Sequence, residues 1–314
     1  MTNPVAGPST GPNPLGATVQ TVAPVDRSEA APGALPYVGL AVVLLLWGFG
    51  PPVSKLLTAP PLTASFARLW TSSLAMLLLG LLARHRPSWA TMRGSFIAGV
   101  AFGLNSLVFF TALSNASIAT ITVIGSLQPA VVMLGASRIF GERLNRRVLT
   151  WTGVAIGGAV LAVLGAGASV HTNAFGVMCA IGSLLAMGVY FLASKHARKS
   201  LGAWEYVTGV MLWASILVTP VVALGGGLNH LDAIDRVDWF WLFVMLIGPG
   251  VGGQLIMGWS VRWVPVSLSA MILLGSTVVA IVAAWPIHGE QPTLVQLVGC
   301  VVTLGAVGLI LQGR

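Results

Sequence analysis

The sequence predicts an all-α polytopic membrane protein with ten transmembrane helices in two inverted five-helix repeats. Three observations predict it: charge is scarce, apolar runs have membrane-spanning length, and basic residues recur in alternate loops. Charged residues are 8% and apolar residues 56% of the 314. A soluble domain carries roughly 25% charged residues. A chain this poor in charge cannot cover a globular surface with polar groups, so its main solvent is lipid. The net charge of +8 does not point to nucleic acid. The bases fall singly or in small clusters between apolar stretches, as topology signals do.

A bilayer core about 30 Å thick takes about 20 apolar residues per helix, so uncharged gaps serve as a ruler. The gap from Ser95 to Ser137 is too long for one helix, and Ser114-Asn115-Ala116-Ser117 supplies a turn within it. The gap from Val148 to Ser194 turns near Gly165 to Asn173. Pro60-Pro61 separates the first two helices, because two adjacent prolines break a helix. Helices 1 to 10 are thus predicted at 36–57, 62–83, 94–113, 117–139, 148–166, 175–195, 204–225, 239–261, 266–287 and 293–312. Residues 1–35 are rich in Pro, Gly, Ser, Thr and Ala and lack the apolar core of a signal peptide. They read as a disordered cytoplasmic tail.

Basic residues in short loops set orientation. With the N-terminus in the cytoplasm, the inner segments carry Arg27; Arg84, Arg86 and Arg93; Arg138, Arg143, Arg146 and Arg147; Lys195, Arg198 and Lys199; Arg262; and Arg314. The outer loops carry only Arg236, among Asp232, Asp235 and Asp238. A helix count wrong by one would swap every later loop, so the asymmetry tests the count. The expected location is a cell membrane, inner or plasma, with both termini cytoplasmic.

The chain also repeats itself. Trp47-Gly48 and Ser54-Lys55 are echoed, at one common offset, by Met187-Gly188 and Ser194-Lys195. Leu69-Trp70 is echoed by Leu212-Trp213, and Gly141-Glu142 by Gly289-Glu290, each at a slightly longer offset. The drift is what small differences in loop length produce. The halves are 36–166 and 174–312. Five helices per half is an odd number, so the second half enters the membrane upside down. Inverted halves that exchange shapes open a midplane site to alternate sides, which is a transporter device.

These residues resemble the drug/metabolite transporter superfamily and, within it, the EamA-like transporters. The resemblance is carried by Trp47-Gly48 midway along helix 1 with Lys55 at its end, and by Arg68 early in helix 2. It is carried also by Pro129 inside helix 4 with Gly141-Glu142-Arg143-Leu144 closing it, and by the Gly-rich helix 5 from Gly153 to Gly158. It implies ten helices, a central cavity and often export, and it leaves the solute open. Thr277 holds the place of Pro129 in the second half, so a kink in helix 9 is not expected with the same assurance.

Candidate site residues follow from what lipid forbids. Helix 8 holds Gly248-Pro249-Gly250-Val251-Gly252-Gly253-Gln254. Gly costs about 1 kcal/mol and Pro about 3 kcal/mol in a helix interior, and freed backbone survives in a membrane only when buried or lining a wet cavity. A broken helix 8 with free carbonyls and amides facing a substrate is expected; close packing of a kinked helix is the alternative. Helix 1 has a similar interruption at Gly48-Phe49-Gly50-Pro51-Pro52. Asn105, Gln128 and Gln254 lie mid-span, where an unpaired amide costs several kcal/mol. With Trp47, Tyr190 and Trp259 they form a candidate aromatic-and-amide pocket, the alternative being interhelical hydrogen bonds and interfacial belts.

No carboxylate lies near mid-membrane, which argues against a central-acid coupling site and against a permanently cationic solute. A neutral, zwitterionic or anionic metabolite, amino-acid-like or amphipathic and drug-like, fits better. Lys55 and Arg68, toward the outer ends of helices 1 and 2, either meet a substrate carboxylate at the outer mouth or snorkel to headgroups. By the repeat, Glu142 with Lys195 at the cytoplasmic ends and Glu290 with Lys55 at the outer ends are candidate alternating gate pairs. The alternative is a helix-end acid serving its own neighbour.

Gly99 with Gly103, and Gly153 with Gly157, have the spacing that lets helices approach closely. This is packing within a monomer, or a homodimer seam at helices 5 and 10. Cys179 and Cys300 lack metal-site spacing, and neither metal nor cofactor is expected. The expected partners are a small-molecule substrate and the bilayer. A membrane-embedded enzyme needs a nucleophile–base set or metal ligands, and a scaffold needs soluble domains; neither feature is evident in the sequence.

Overall fold

The computed structural model describes residues 33–83, 88–116, 118–142, 145–164, 173–289 and 291–312. The predicted tail is almost entirely outside this range, as are Glu290 and most of the turn at 165–173.

The described residues form helices without strands. The spans are α1 (Leu35–Ser54), α2 (Pro61–Leu82), α3 (Trp89–Asn115), α4 (Ile118–Gly125 and Gln128–Phe140), α5 (Arg146–Leu164), α6 (Ala174–Ala197), α7 (Ala203–Leu224), α8 (Arg236–Trp263), α9 (Val266–Leu273 and Ser276–His288) and α10 (Leu294–Gln312). Nine of them are long and apolar enough to cross a membrane, and α10 holds a shorter apolar stretch, Leu294–Ile310. A 3-10 turn, Gly227–Ala233, joins α7 to α8.

The boundaries have local causes. Pro61 opens α2 at a position where its missing N–H costs nothing. Ser88 caps α3 by accepting from Thr91 N, and Asn173 caps α6 by accepting from Gly176 N. The largest boundary difference is at α3, which begins at Trp89 and not at 94. A helix does not end where lipid ends, so Arg93 lies within its first turns.

The two halves repeat in geometry. The segments of α4 and α9 correspond bound for bound at a single offset: 118 to 266, 125 to 273, 128 to 276 and 140 to 288. Gly141 and Gly289 close them with left-handed φ of 64° and 71°, which glycine adopts without steric cost. The interruption of α9 therefore occurs without a proline. Gly275 stands at the break, where an added Cβ would come 2.7 Å from Leu44 Cδ1. The repeat reaches single hydrogen bonds too. Ser54 Oγ donates to Gly50 O at 2.8 Å, and its counterpart Ser194 Oγ donates to Tyr190 O at 2.6 Å.

Polar contacts tie the helix ends into two faces. At one end, the basic end, Lys195 reaches Val264 O, Arg198 reaches Gly258 O, and Glu142 meets Val266 N. At the opposite end, Thr63 donates to Gly227 O and Asp238 accepts from the α1–α2 connection. This arrangement places successive spans antiparallel.

Small residues set the closest packing. Cβ atoms at Gly99 and Gly103 would come 3.0 Å from α7 backbone at Val210 and Ala214, so this pair does bring helices together. Gly153 and Gly157 do not, since a Cβ at either meets nothing within 4 Å. The α5–α10 seam is built instead on Gly158 and Gly299, whose Cβ atoms would fall 2.9 and 2.6 Å from each other's carbonyl oxygens. That seam lies within the monomer. Serine pairs Ser65–Ser106 and Ser73–Ser215, each at 2.7 Å, join α2 to α3 and α7.

Candidate functional site

A cavity of about 280 Å³ lies among α1, α2, α3, α4, α6, α7 and α8. Its wall is mostly apolar, with Leu69, Phe102, Met187, Met211 and Met245. Such a surface with a few placed polar groups is the usual make-up of a small-molecule site. The lining continues to Pro51 and Gly125, both exposed.

Of the residues chosen from sequence, Trp47, Asn105, Gln128 and Gln254 line this cavity. Each is held by a bond that lipid makes necessary. Trp47 Nε1 donates to Pro249 O at 3.2 Å. Asn105 Nδ2 donates to Ser183 Oγ at 2.8 Å and Ser183 O at 3.1 Å. Gln128, oriented so that both ends of its amide are satisfied, donates to Leu184 O at 3.3 Å and accepts from Gly188 N at 3.1 Å. Asn105 and Gln128 therefore both line the cavity and bind α3 and α4 to α6.

Tyr190 stands behind the wall, fully buried, and its hydroxyl donates to Gln254 Oε1 at 2.5 Å. Toward the basic end the interior is filled. Ser194 and Tyr206 share a 2.5 Å hydrogen bond, and Phe191, Met257 and Val261 are buried there. Trp259 is not part of the cavity. It lies five residues beyond Gln254, a rotation of about 140° on a helix, and faces α1, where a Cβ on Gly39 would be 3.5 Å from its ring.

Helix α8 does not break. Residues Leu246–Gly252 take a wider π turn around Pro249, one of the local adjustments by which a membrane helix accommodates proline and glycine. The carbonyl of Pro249 is engaged by Trp47, so that acceptor is spent on the partner helix. Pro249 and Gly250 nevertheless line the cavity.

Of the two placements open to Arg68 from sequence, the interior one is found. It does not snorkel to an outer headgroup. It lies two turns into α2, about 10 Å along the helix, and lines the cavity. Its Nε is buried and has no hydrogen-bond partner among the described residues. The guanidinium carbon stands over Phe110, 5.6 Å from the ring centroid. No acidic residue is among those lining the cavity.

Lys55 follows α1 as its exposed C-cap and is not in the lining. Glu142 and Lys195 approach the α8–α9 connection from two sides. Glu142 accepts from Val266 N at 3.3 Å and from Ser267 Oγ, at the start of α9. Lys195 Nζ donates to Val264 O at 2.8 Å and Arg262 O at 3.4 Å. Their hydrogen bonds go to the connection and not to each other.

Two further residues escape the sequence reading. Arg198 reads from sequence as a loop cation, but it is buried and donates through Nε to Gly258 O at 2.6 Å and through a terminal nitrogen to Leu201 O. Asp238 reads as an outer-loop acid, but it is buried and accepts from Thr58 N at 2.8 Å, Thr58 Oγ1 at 3.0 Å and Ala59 N at 3.0 Å. Its place in the first helical turn after the capping Asp235, ahead of an apolar run, is the available signal.

Two stretches, residues 35–164 and 174–312, match the EamA-like transporter family. The uncharacterized transporter YdfC of Bacillus subtilis (strain 168) is 24% identical over 250 residues, which are 76% of this chain and 78% of that protein. A probable terminal-alkyne amino-acid exporter of Streptantibioticus cattleyicolor is 27% identical over 197 residues, 62% of this chain and 64% of that protein. A solved crystal structure superposes with a TM-score of 0.72 at 18% identity, over 88% of this chain and 96% of the other. That last likeness shows the fold alone.

Proposed function

This chain belongs to the EamA-like transporter family, and from that premise we propose that it exports a small neutral, zwitterionic or anionic metabolite by alternating access. The observation that carries the reading is the cavity: about 280 Å³, set among helices of both repeats, closed toward the basic end by Tyr190, Tyr206 and Met257. Its lining includes no acid, and its one cation has an Nε unpaired among the described residues. Such a wall favours solutes without net positive charge. The relative named as a probable terminal-alkyne amino-acid exporter supports amino-acid-like solutes and the outward direction.

The positive-inside rule supports placing the basic end in the cytoplasm, with the cell membrane as the site. In that orientation the cavity faces outward and the cytoplasmic side is shut. The inverted repeat supplies the counter-state, in which the halves exchange shapes. Trp47, Asn105, Gln128 and Gln254 form the substrate surface. Glu142 and Lys195 hold the α8–α9 connection in the cytoplasmically closed state and release it in the other.

The reading is tested by counterflow in proteoliposomes with a panel of labelled amino acids, organic acids and amphipathic amines. Saturable exchange of at least one anionic, zwitterionic or neutral solute is expected. Exchange confined to the cationic amines would overturn the assigned solute class, and no exchange of any solute would overturn the transport assignment.

A further inference from the structure

We propose that Arg68 is the anchor for a substrate carboxylate, so that the solute is a monocarboxylate with an apolar body. The inference rests on the transport reading and deepens it. A guanidinium offers five N–H donors in a planar fork matched to a carboxylate. In Arg68 the buried Nε lacks any partner among the described residues, and the ring face of Phe110 lies against the charge. The side chain is half-buried, and a buried donor of a purely structural arginine is normally paired, because an unsatisfied buried donor is costly. Arg198 shows the contrast within the same chain, since it is buried and meets two carbonyls.

The surroundings fix the rest of the ligand. Beside Arg68 in the cavity lining stand Ser72 and Asn105, which offer neutral polar contacts, while Phe102, Met211 and Met245 offer only apolar surface. A carboxylate on the guanidinium therefore leaves an apolar body against the aromatic and thioether wall. Both an amino acid and an unsubstituted organic acid present this shared chemistry. The lining has no carboxylate for an ammonium group, so the carboxylate dominates recognition.

The test uses the purified full chain and matched ligands: leucine and phenylalanine, their amides, and 4-methylpentanoate. Ligand-induced stabilisation is read by thermal unfolding in detergent, and flux by proteoliposome counterflow. Carboxylates should raise the Tm of the native protein, with the amides about tenfold or more weaker in apparent affinity. Arg68→Gln should abolish the difference between acid and amide, and Arg68→Lys should keep part of it, retaining charge without the fork. Leucine against 4-methylpentanoate tells whether the ammonium adds affinity.

Without ligand, Arg68→Gln should unfold at or above the native temperature, because a half-buried cation whose Nε has no partner among the described residues has been removed. A structural arginine would lower it. The proposal is overturned if the amides protect as well as the acids, if no carboxylate protects, if Arg68→Gln responds like the native chain, or if its ligand-free Tm falls. Flux of amides alone removes the role of Arg68 and leaves transport standing. Carboxylate binding with no flux of any solute removes transport and leaves the anchor.

Discussion

Gly48 faces Val279 so closely that a Cβ on the glycine would come 2.6 Å from the valine's Cγ1. Gly188 and Val131, their counterparts in the opposite halves, repeat the contact at 2.9 Å. One pair joins α1 to α9 and the other α6 to α4, so the inverted repeat extends to individual packing contacts. Overpacking such a contact costs typically about 1–3 kcal/mol. Gly48→Ala and Gly188→Ala should each lower the unfolding free energy in detergent by about that amount, with a fall in Tm. Gly153→Ala, where a Cβ meets nothing within 4 Å, should be neutral or stabilising by up to about 1 kcal/mol through helix propensity. Equal effects at Gly48 and Gly153 would refute the close approach.

Tyr190→Phe keeps the ring and removes only the hydroxyl that serves Gln254. The buried amide oxygen loses its donor, which costs about 1–3 kcal/mol. Adding Gln254→Leu should remove much of that penalty, because both partners are then apolar. A double-mutant cycle of unfolding free energies reads the coupling. Additive losses would mean that the two side chains do not share the bond.

Glu142→Lys with Lys195→Glu should not restore the flux or stability lost by either single reversal. Glu142 accepts from an amide and a hydroxyl at the start of α9, and Lys195 donates to two carbonyls just before it. Exchanged side chains put a donor against a donor and an acceptor against an acceptor. Glu142→Gln, which keeps an acceptor oxygen, should lose less than Glu142→Ala. Full recovery in the swapped double variant would instead establish a direct ion pair.

Asp238→Ala should free the α1–α2 connection, leaving the amides of Thr58 and Ala59 without their acceptor. Bonds to a charged acceptor contribute about 1.5–3 kcal/mol each, so a loss of about 3 kcal/mol is expected, with Asp238→Asn intermediate. Hydrogen exchange at residues 56–60 should rise in the same order. Unchanged protection in Asp238→Ala would exclude this role.

The sequence made the fold legible because lipid imposes simple rules: spans need length, buried amides need partners, and charge marks the ends. Those rules located Trp47, Asn105, Gln128 and Gln254 in the cavity wall, since each is a polar or aromatic group that must face protein or water. They misplaced Trp259 because spacing along α8 was not converted into rotation around it. They left Arg68 open because a basic residue near a helix end has two stable solutions, headgroup or interior, and only packing chooses between them. The interruption of α9 was obscured because proline is one way to break a helix and Gly275 against Leu44 is another. Asp238 and Arg198 were hidden because charge in a loop looks solvated until the backbone it serves is seen.

The most direct test is counterflow by Gly50→Trp beside the native chain in proteoliposomes. Gly50 is buried and lines the cavity, yet a Cβ there meets nothing within 4 Å, so a side chain can leave the backbone there without an immediate clash and an indole is chosen to obstruct the cavity. Saturable exchange by the native chain and its loss in a stably folded Gly50→Trp is the predicted result. Native-like exchange in Gly50→Trp would contradict a solute path through this cavity.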